Sequence, residues 1–345
     1  MSATAKPTVR TLAAELGLSR STVSLALRGS PLIKPATRER VLGLAARAGY
    51  TPNPLASSVM SELKRGHVYH GEIALASMDQ SDRPVKARRF RRLLMEAAAR
   101  RAAELGYQAQ NFLIGAEGVS LQRLHSILRT RGIQGVLVLP VWREPDFAQL
   151  DWNHYAGVYL DYLIERPALP TICADFYRSM LYVLQHVRQL GYRRPGLFIV
   201  KPHEKRLQFC WSDRWTSAFL GLRRSLGLGR VPPLVVETVD REGFARWFRR
   251  SQPDVVLGHH SEAVDWMAVC GARVPETHGF VSLNLALSDR SCAGIDLQPA
   301  VLAARGVELL AAQILHRQCG LDVTPSATMV PGMWVDGPTL RVRKG

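Results

Sequence analysis

A set of hydrogen-bonding side chains lies near the start of the chain, on one face of a predicted helix: Arg20, Ser21, Ser24 and Arg28. Guanidinium and hydroxyl groups are the groups with which proteins contact the phosphates and base edges of DNA. The opposite face of the same helix is apolar and carries Val23, Ala26 and Leu27. This pattern predicts a helix that packs by one face and offers the other to DNA, with a surface helical hairpin as the alternative.

Local signals predict where this helix begins and what precedes it. An earlier segment places Leu12, Ala13 and Leu16 on one helical face. Gly17 follows, and glycine enters a left-handed backbone conformation at little steric cost. Ser19 then offers a hydroxyl oxygen to an unpaired N–H group of the next helix. Together these residues predict a helix-turn-helix, whose second helix enters the major groove of DNA.

A third helix and a short linker are predicted next. Pro35 suits a first helical turn, and Gly49 lies just past the predicted end. The apolar positions of this helix share one face: Val41, Leu44, Ala45 and Ala48. Beyond the linker at 50–52, Asn53 is placed to cap a short helix with Pro54 at its first position.

This part of the chain resembles the N-terminus of the lactose/galactose-repressor (LacI/GalR) family of bacterial regulators. The resemblance rests on TVSLALRG, TRERV, Tyr50-Thr51-Pro52-Asn53 and LASSVMSELK, and continues more weakly through LGYRRPGLFIV, GARVPETHGFVSLN and MVPGMWVDGPTL. It implies a DNA-binding head at 1–52, a hinge helix and linker at 53–65, and an effector-binding and dimerisation domain at 66–345. It also implies a set of DNA contacts: Thr8, Arg20, Ser21, Thr22, Ser24, Leu25, Arg28, Asn53, Ala56, Val59 and Met60.

Two of these positions depart from the family pattern. Leu25 stands where the family usually has arginine and is limited to apolar contacts, such as one with a thymine methyl group. We therefore expect Arg20 to carry most of the hydrogen-bonded specificity. Val59 stands where family members insert a leucine into the minor groove, and Met60 beside it is expected to share that role.

The charge of the chain favours a polyanionic partner. The net charge is +16, and residues 1–65 contain ten Lys or Arg against three Asp or Glu. Such a balance predicts binding to double-stranded DNA that weakens as salt is raised. A second basic cluster, interpreted as solvated helix surface, comprises Lys86, Arg88, Arg89, Arg91 and Arg92.

Other classes of protein find little support in the sequence. No apolar run is long enough to span a bilayer and no signal peptide is recognised, which predicts a cytoplasmic protein without membrane contact. The five cysteines form no C-x-x-C pair and are interpreted as reduced, mostly buried thiols. No phosphate-binding loop, dinucleotide fingerprint or nucleophile elbow is present, so we expect neither an enzyme nor a cofactor. His259-His260-x-Glu262 lacks the spacing of a helical zinc site, so no metal is expected.

From residue 71 onward, apolar runs alternate with amphipathic helices. Strands are predicted at 72–78, 110–114, 135–140, 157–161, 171–175, 196–200, 234–239, 255–258 and 280–283, and a last helix at 299–317. Such alternation predicts an α/β fold with two doubly wound parallel sheets. The resemblance implies a two-lobed, periplasmic-binding-protein-like domain, with lobe 1 at about 71–161 plus 285–298 and lobe 2 at about 175–284 plus 299–330.

Ligands of open parallel sheets bind beyond the carboxyl ends of the strands. The polar or aromatic residues at these ends form the predicted effector site: Ser77, Asp79, Gln80, Pro140, Asp161, Asp213, Arg214, Trp215, His259, His260 and Asn284. The family usually has a ligand-gripping arginine near Arg214, Asn-Asp at His259-His260, and often aspartate at Asn284. Either ring stacking on a ligand or core packing suits three tryptophans, Trp211, Trp215 and Trp266. Asp175 suits a helix cap.

We expect a ligand-responsive transcriptional regulator, a repressor, that works as a homodimer. Its effector is expected to be a sugar or related metabolite, with a non-sugar ligand such as a nucleobase as one alternative. A DNA-binding architectural protein is another. The dimer face is predicted around 90–105, where Leu93, Leu94 and Ala97 form a stripe that suits intramolecular core packing equally well.

Overall fold

The computed structural model describes residues 9–27, 33–48, 69–78, 85–115, 118–140, 147–160, 167–201, 211–321 and 325–343. The chain divides into two compact units, residues 1–68 and residues 69–345. The hinge helix predicted at 53–65 lies outside the described residues.

The first unit contains three helices, α1 (Val9–Leu16), α2 (Arg20–Leu27) and α3 (Pro35–Arg47). They share one apolar core, which confirms the three predicted apolar faces: Leu12, Ala13, Val23, Ala26, Val41, Leu44 and Ala45. Gly17 has φ 63°, the left-handed conformation required by the turn between α1 and α2. Because each helix buries only one face, the other face of α2 remains outside this core.

The second unit is built from twelve strands and seven further helices among the described residues. The strands are β1 (Gly71–Met78), β2 (Tyr107–Ile114), β3 (Gly135–Val138), β4 (Ala156–Leu160), β5 (Thr171–Asp175), β6 (Pro195–Val200), β7 (Leu234–Val236), β8 (Val255–Gly258), β9 (Gly279–Ser282), β10 (Ala293–Asp296), β11 (Ala327–Pro331) and β12 (Met333–Val335). The helices are α4 (Val85–Glu104), α5 (Leu121–Arg131), α6 (Phe176–Gln189), α7 (Trp211–Ser225), α8 (Arg241–Ser251), α9 (Ala263–Val269) and α10 (Pro299–Leu315).

These strands form two six-stranded sheets, in the orders β11-β5-β4-β3-β1-β2 and β12-β10-β9-β8-β6-β7. All neighbours in the first sheet are parallel. In the second sheet only the β10–β12 pair is antiparallel. The predicted two-lobed α/β fold is therefore confirmed.

The lobe boundaries differ from those predicted. Residues 285–298 were placed in lobe 1, but β10 pairs with β9 and belongs to the second sheet. Residues 299–330 were placed in lobe 2, but α10 packs against β3, β4, β5 and α4, and β11 pairs with β5. The prediction was wrong because strand pattern does not reveal which sheet a strand joins.

The carboxyl edges of the two sheets face each other. Only Gly332 separates the end of β11 in the first sheet from the start of β12 in the second. β12 starts beside the carboxyl end of β10, since Met333 pairs with Asp296. The parallel strands of both sheets consequently end at the crossings between the lobes, which makes this region the predicted ligand cleft.

The chain crosses between the lobes at three places: after β5, between β10 and α10, and at Gly332 between β11 and β12. Hydrogen bonds link these three crossings. The Ser179 hydroxyl donates to the Asp175 carbonyl (2.6 Å) and accepts the Gly332 N–H (2.9 Å). The Gln298 side-chain amide donates to the Pro331 carbonyl at 2.7 Å. The chain segments that join the lobes are thus held side by side.

The largest apolar cluster contains residues of both lobes, including Leu75 and Leu160 from the first and Trp215 and Leu283 from the second. Leu94 and Ala97 of α4 belong to it, so for these two residues the core alternative to a dimer face is confirmed.

Of the four cysteines in the described part of the chain, Cys173 and Cys292 are buried and Cys270 and Cys319 are partly exposed. No helix among the described residues is long and apolar enough to cross a membrane.

Candidate functional site

The start of α2 is fixed by a side-chain cap. The Ser19 hydroxyl oxygen accepts the backbone N–H of Thr22 at 3.0 Å, which confirms the predicted cap. The hydroxyl groups of Ser19 and Thr22 are also 2.8 Å apart. Thr22 is therefore engaged in the turn itself, which restricts its hydroxyl for contacts elsewhere.

The outer face of α2 carries the remaining described DNA-contact candidates. Arg20 is exposed, whereas Thr22 and Leu25 are half-buried. The backbones of Ser21 and Ser24 belong to α2, but their side chains are outside the description. The other DNA-contact candidates also lie outside the described residues: Thr8, Arg28, Asn53, Ala56, Val59 and Met60. The head thus presents one exposed guanidinium at the start of its second helix.

In the first lobe, two predicted effector residues are described, and both are buried near the carboxyl ends of strands. Ser77 in β1 donates its hydroxyl to the Phe112 carbonyl at 3.4 Å, a weak bond that turns it toward β2. Pro140 follows β3. Asp79, Gln80 and Asp161 lie outside the described residues.

In the second lobe, the three predicted residues on α7 have different surroundings. Asp213 is exposed and lies 3.8 Å from the Lys201 ammonium. The Arg214 guanidinium lies over the Phe176 ring, 5.8 Å from its centroid, in a cation–π contact. Trp215 is fully buried, with its ring edge-on to Phe176 at 5.2 Å between centroids. The helix therefore turns an indole into the lobe and leaves the guanidinium nearer its surface.

His259, directly after β8, lies among aromatic rings. Its ring is perpendicular to that of Trp211 at 4.5 Å between centroids and lies 6.2 Å from that of Trp215. Only 7% of His259 is exposed. Burial, with a smaller contribution from the charge of neighbouring His260, lowers the pKa of His259 to about 3. The imidazole is consequently uncharged at neutral pH.

The rings of Phe176, Trp211, Trp215 and His259 form one aromatic cluster. Within the described part of the chain, three buried polar atoms of this cluster have no hydrogen-bond partner. They are both ring nitrogens of His259 and the indole nitrogen of Trp215. A buried donor or acceptor left without a partner costs about 1–3 kcal/mol. Such groups in a native structure call for a partner from outside the chain or for a functional explanation.

The two remaining predicted residues already have partners within the lobe. His260 lies 3.9 Å from the Glu262 carboxylate and 6.1 Å, between ring centroids, from Phe198. Asn284 is 5% exposed, and its side-chain oxygen accepts the Ala286 N–H at 3.1 Å. Asn284 therefore caps the 3₁₀ turn Leu285–Leu287.

Two residues of the cluster were absent from the predicted effector site. Phe176 is one of them, and it directly follows the predicted helix cap Asp175. That cap is confirmed, because the Asp175 carboxylate accepts the Arg178 N–H at 2.8 Å. Trp211 was noted only as one of three tryptophans, although its place at the start of a lobe 2 helix was a usable signal. Trp266, by contrast, packs in the core against Phe198 and Phe244.

No group of three or more His, Cys, Asp or Glu side chains in the described residues is arranged to hold a metal ion. His259, His260 and Glu262 therefore form no metal site there. The chemistry of the cluster is hydrogen bonding and ring contact.

Comparison with known proteins finds a family model for the first unit and similar folds for most of the chain. A family model described as "Bacterial regulatory proteins, lacI family" matches residues 8–53. The HTH-type transcriptional regulator CelR of Thermobifida fusca is 28% identical over 147 residues, which span 42% of this chain and 40% of CelR.

Two solved structures share the fold. The "transcriptional regulator CelR-cellobiose complex" has a TM-score of 0.60 with 18% identity, and 96% of this chain and 99% of that chain are covered. The lac repressor dimer bound to operator and the anti-inducer ONPF has a TM-score of 0.56 with 14% identity, covering 97% and 99%. The helix-turn-helix at residues 8–53 thus matches the model of the lacI family of bacterial regulatory proteins, and the chain shares the fold of solved lacI-type regulators.

Proposed function

We propose that this protein is a DNA-binding transcriptional regulator, a repressor, whose affinity for an operator is set by a small molecule bound between the lobes. The observation that carries the proposal is α2, which is capped by Ser19, packed by Val23 and Ala26, and left with Arg20 exposed at its start. The family is one of transcriptional regulators rather than enzymes. We assign the chain no catalytic step.

In this proposal α2 enters the major groove of double-stranded DNA. Arg20, at the N-terminal end of the helix, is placed to hydrogen-bond with a guanine edge, and Leu25 is limited to apolar contact. A two-fold operator requires two heads, so we propose a homodimer. The lac repressor of the related structure is a dimer bound to operator, which supports this assembly.

The effector is proposed to act through the crossings between the lobes. Because the three crossings are tied by Ser179 and Gln298, motion of one lobe against the other is a rotation about this region. A ligand that contacts both sheet edges binds more tightly at one angle between the lobes than at others. It therefore shifts the protein toward that angle, by an amount set by the difference in affinity. A sugar is the proposed ligand class, supported by the cellobiose complex of the related CelR structure.

The test begins by selecting bound sequences from random DNA with the full-length protein, which yields a half-site. Arg20→Ala is then compared with the wild type on the selected site and on random DNA. We expect a loss of about 1–3 kcal/mol in discrimination between the two. Arg47→Ala, which removes an exposed positive charge from the last turn of α3, is the matched control.

Equal loss on selected and random DNA for Arg20→Ala would mean that the residue contacts only phosphate. Failure of the wild type to prefer any sequence would contradict the proposed function. The affinity of the wild type for the selected site is also measured with metabolites present. If no metabolite changes it, the protein would instead be an architectural DNA-binding protein.

A further inference from the structure

Arginines are concentrated along one edge of the second sheet. This edge comprises the last turns of α6, α7 and α8, the segments that lead from these helices and from α9 into the next strands, and the chain after Leu340. We call it the arginine edge, and its residues are 186–194, 222–233, 248–254, 270–278 and 341–343. Because β6, β8 and β9 start here and end at the cleft, the arginine edge lies at the opposite edge of the sheet from the predicted effector site.

The arginine edge carries the whole charge excess of the second unit. It contains eleven arginines and no lysine, against two carboxylates, Asp254 and Glu276. The chain carries +16 and residues 1–68 carry +7, which leaves +9 for residues 69–345. The arginine edge also has a net charge of +9, so the remainder of the second unit is neutral as a whole. One of the two carboxylates is already engaged, because Asp254 lies 3.2 Å from the Arg343 guanidinium.

Five of these arginines are hydrogen-bonded to uncharged main-chain groups. The Arg194 guanidinium donates to the carbonyls of Gln252 (2.9 Å) and Ser251 (2.8 Å). Four other guanidiniums donate to carbonyls in the same way: Arg193, Arg223, Arg341 and Arg343. Burial, with a smaller contribution from the charge of Arg230, lowers the pKa of Arg223. Positive groups therefore lie near one another here, and these main-chain bonds do not neutralise them.

The other six arginines are exposed, and their guanidiniums form no hydrogen bond or ion pair within the described part of the chain: Arg188, Arg224, Arg230, Arg249, Arg250 and Arg273. A cation near a helix C-terminus stabilises the helix, but the partial charge at that end amounts to only about half an elementary charge. Helices α7 and α8 each have two arginines in the last turn. Helix stabilisation thus accounts for only part of this positive charge.

The surroundings of these guanidiniums favour duplex DNA over other polyanions. Proteins bind single-stranded nucleic acids through aromatic rings on which the bases stack, and bind membrane surfaces through apolar side chains that enter the lipid. The tyrosine and the phenylalanine of the arginine edge, Tyr192 and Phe248, are buried, and Val342 is its one exposed large hydrophobic residue. Arginines without such anchors suit the phosphates of a double helix, which proteins contact without reading the sequence.

We propose that the arginine edge is a second DNA-binding surface, which contacts the phosphates of double-stranded DNA without reading its sequence and independently of the helix-turn-helix. A protein whose heads hold an operator then keeps a site for another duplex and joins two DNA segments. This surface is additional to the contacts of the proposed function, which all lie in the first unit. Its binding is expected to weaken steeply with salt, because each phosphate contact releases counterions.

The test uses the full-length protein and two short duplexes that carry different dyes. One duplex contains the site selected for the heads and is added in excess to fill them, and the other has a random sequence. Fluorescence cross-correlation measures how often the two dyes diffuse together, and hence the affinity of the random duplex for protein already bound to its site. We expect the two duplexes to diffuse together at about 0.1 M salt and to separate at about 0.5 M.

A quadruple variant removes exposed charges from the arginine edge: Arg224→Gln, Arg230→Gln, Arg249→Gln and Arg250→Gln. Each phosphate contact is worth about 8-fold in affinity when salt falls from about 1 M to about 0.1 M. The loss of two contacts corresponds to binding about 60-fold weaker at about 0.1 M salt, and we expect at least that loss for the variant. A control of equal charge replaces four exposed arginines elsewhere in the second unit and is expected to keep wild-type affinity: Arg123→Gln, Arg129→Gln, Arg131→Gln and Arg241→Gln.

A wild type that never joins the two duplexes would overturn the proposal, and so would equal affinities of the two quadruple variants. Stronger binding to a single-stranded oligonucleotide, or to vesicles of phosphatidylglycerol, than to the duplex would overturn it by assigning the arginine edge to another partner. Melting temperatures show whether both variants fold. If the quadruple variant does not, the double variant Arg249→Gln with Arg250→Gln decides the matter, with a loss of about 8-fold or more expected. If the wild type prefers no sequence, which contradicts the proposed function, two random duplexes are used and the comparison of variants still decides this proposal.

Discussion

Acidification is expected to destabilise the protein through His259. The pKa of this imidazole falls from 6.5 to about 3 on folding, chiefly because the side chain is buried. Between these two values the unfolded chain binds a proton that the folded chain does not. The stability linked to His259 is therefore complete above pH 6.5 and is lost as the pH falls below it toward the folded pKa of about 3.

The magnitude follows from the linkage. Each pH unit between the two pKa values costs about 1.4 kcal/mol of unfolding free energy, so acidification from neutral pH to about pH 5 removes about 2 kcal/mol. Burial also lowers the pKa of His186 and His278, so these residues add to the loss in the same direction. The contribution of His259 must hence be isolated by comparison with a variant.

The assay is urea unfolding of the full-length protein and of His259→Phe, each at neutral pH and at about pH 5, followed by far-ultraviolet circular dichroism. The wild type is expected to lose about 2 kcal/mol more than the variant between the two conditions. This double difference does not depend on how far the substitution itself changes stability. Equal losses in the two proteins would show that His259 is hydrated or hydrogen-bonded in solution and would refute the reasoning.

Three further predictions concern the turn, the crossings and the assembly. Ser19→Ala removes the cap of α2 and is expected to lower the stability of the head by about 1 kcal/mol, measured by urea unfolding, with unchanged stability contradicting the cap. Gly332→Ala is expected to lower the free energy of unfolding by about 1–3 kcal/mol, because the added Cβ would overlap Ile295 Cγ2. Gly221→Ala, in open space on α7, is expected to raise the free energy of unfolding by about 0.5–1 kcal/mol. Similar effects of the two glycine substitutions would contradict the packing at the crossing. Light scattering without DNA is expected to give about twice the chain mass of 38.3 kDa, and a monomer would mean that DNA itself pairs the heads.

Local features of this protein were determined by the sequence alone. The turn at Gly17, the caps at Ser19 and Asp175, and the start of α3 at Pro35 all appear as predicted. Each of these features depends on interactions between residues at most a few positions apart. The same holds for the apolar runs that became β1, β5 and β8, since a run buried on both faces is visible in the sequence itself.

Only the tertiary structure decided which sheet each late strand joins and which side chains meet in the cleft. Strand β10 pairs with β9, but β11 pairs with β5, more than 150 positions earlier, and nothing in either short segment specifies its partner. Likewise, Arg214 and Trp215 are neighbours in sequence, yet the indole is fully buried between Phe176 and His259, whereas the guanidinium lies over the Phe176 ring nearer the surface. Successive residues of a helix point about 100° apart, so a shift of one position along α7 exchanges a guanidinium for an indole. The physical reason is that pairing and helix rotation are set by packing across the whole lobe, which no local segment contains.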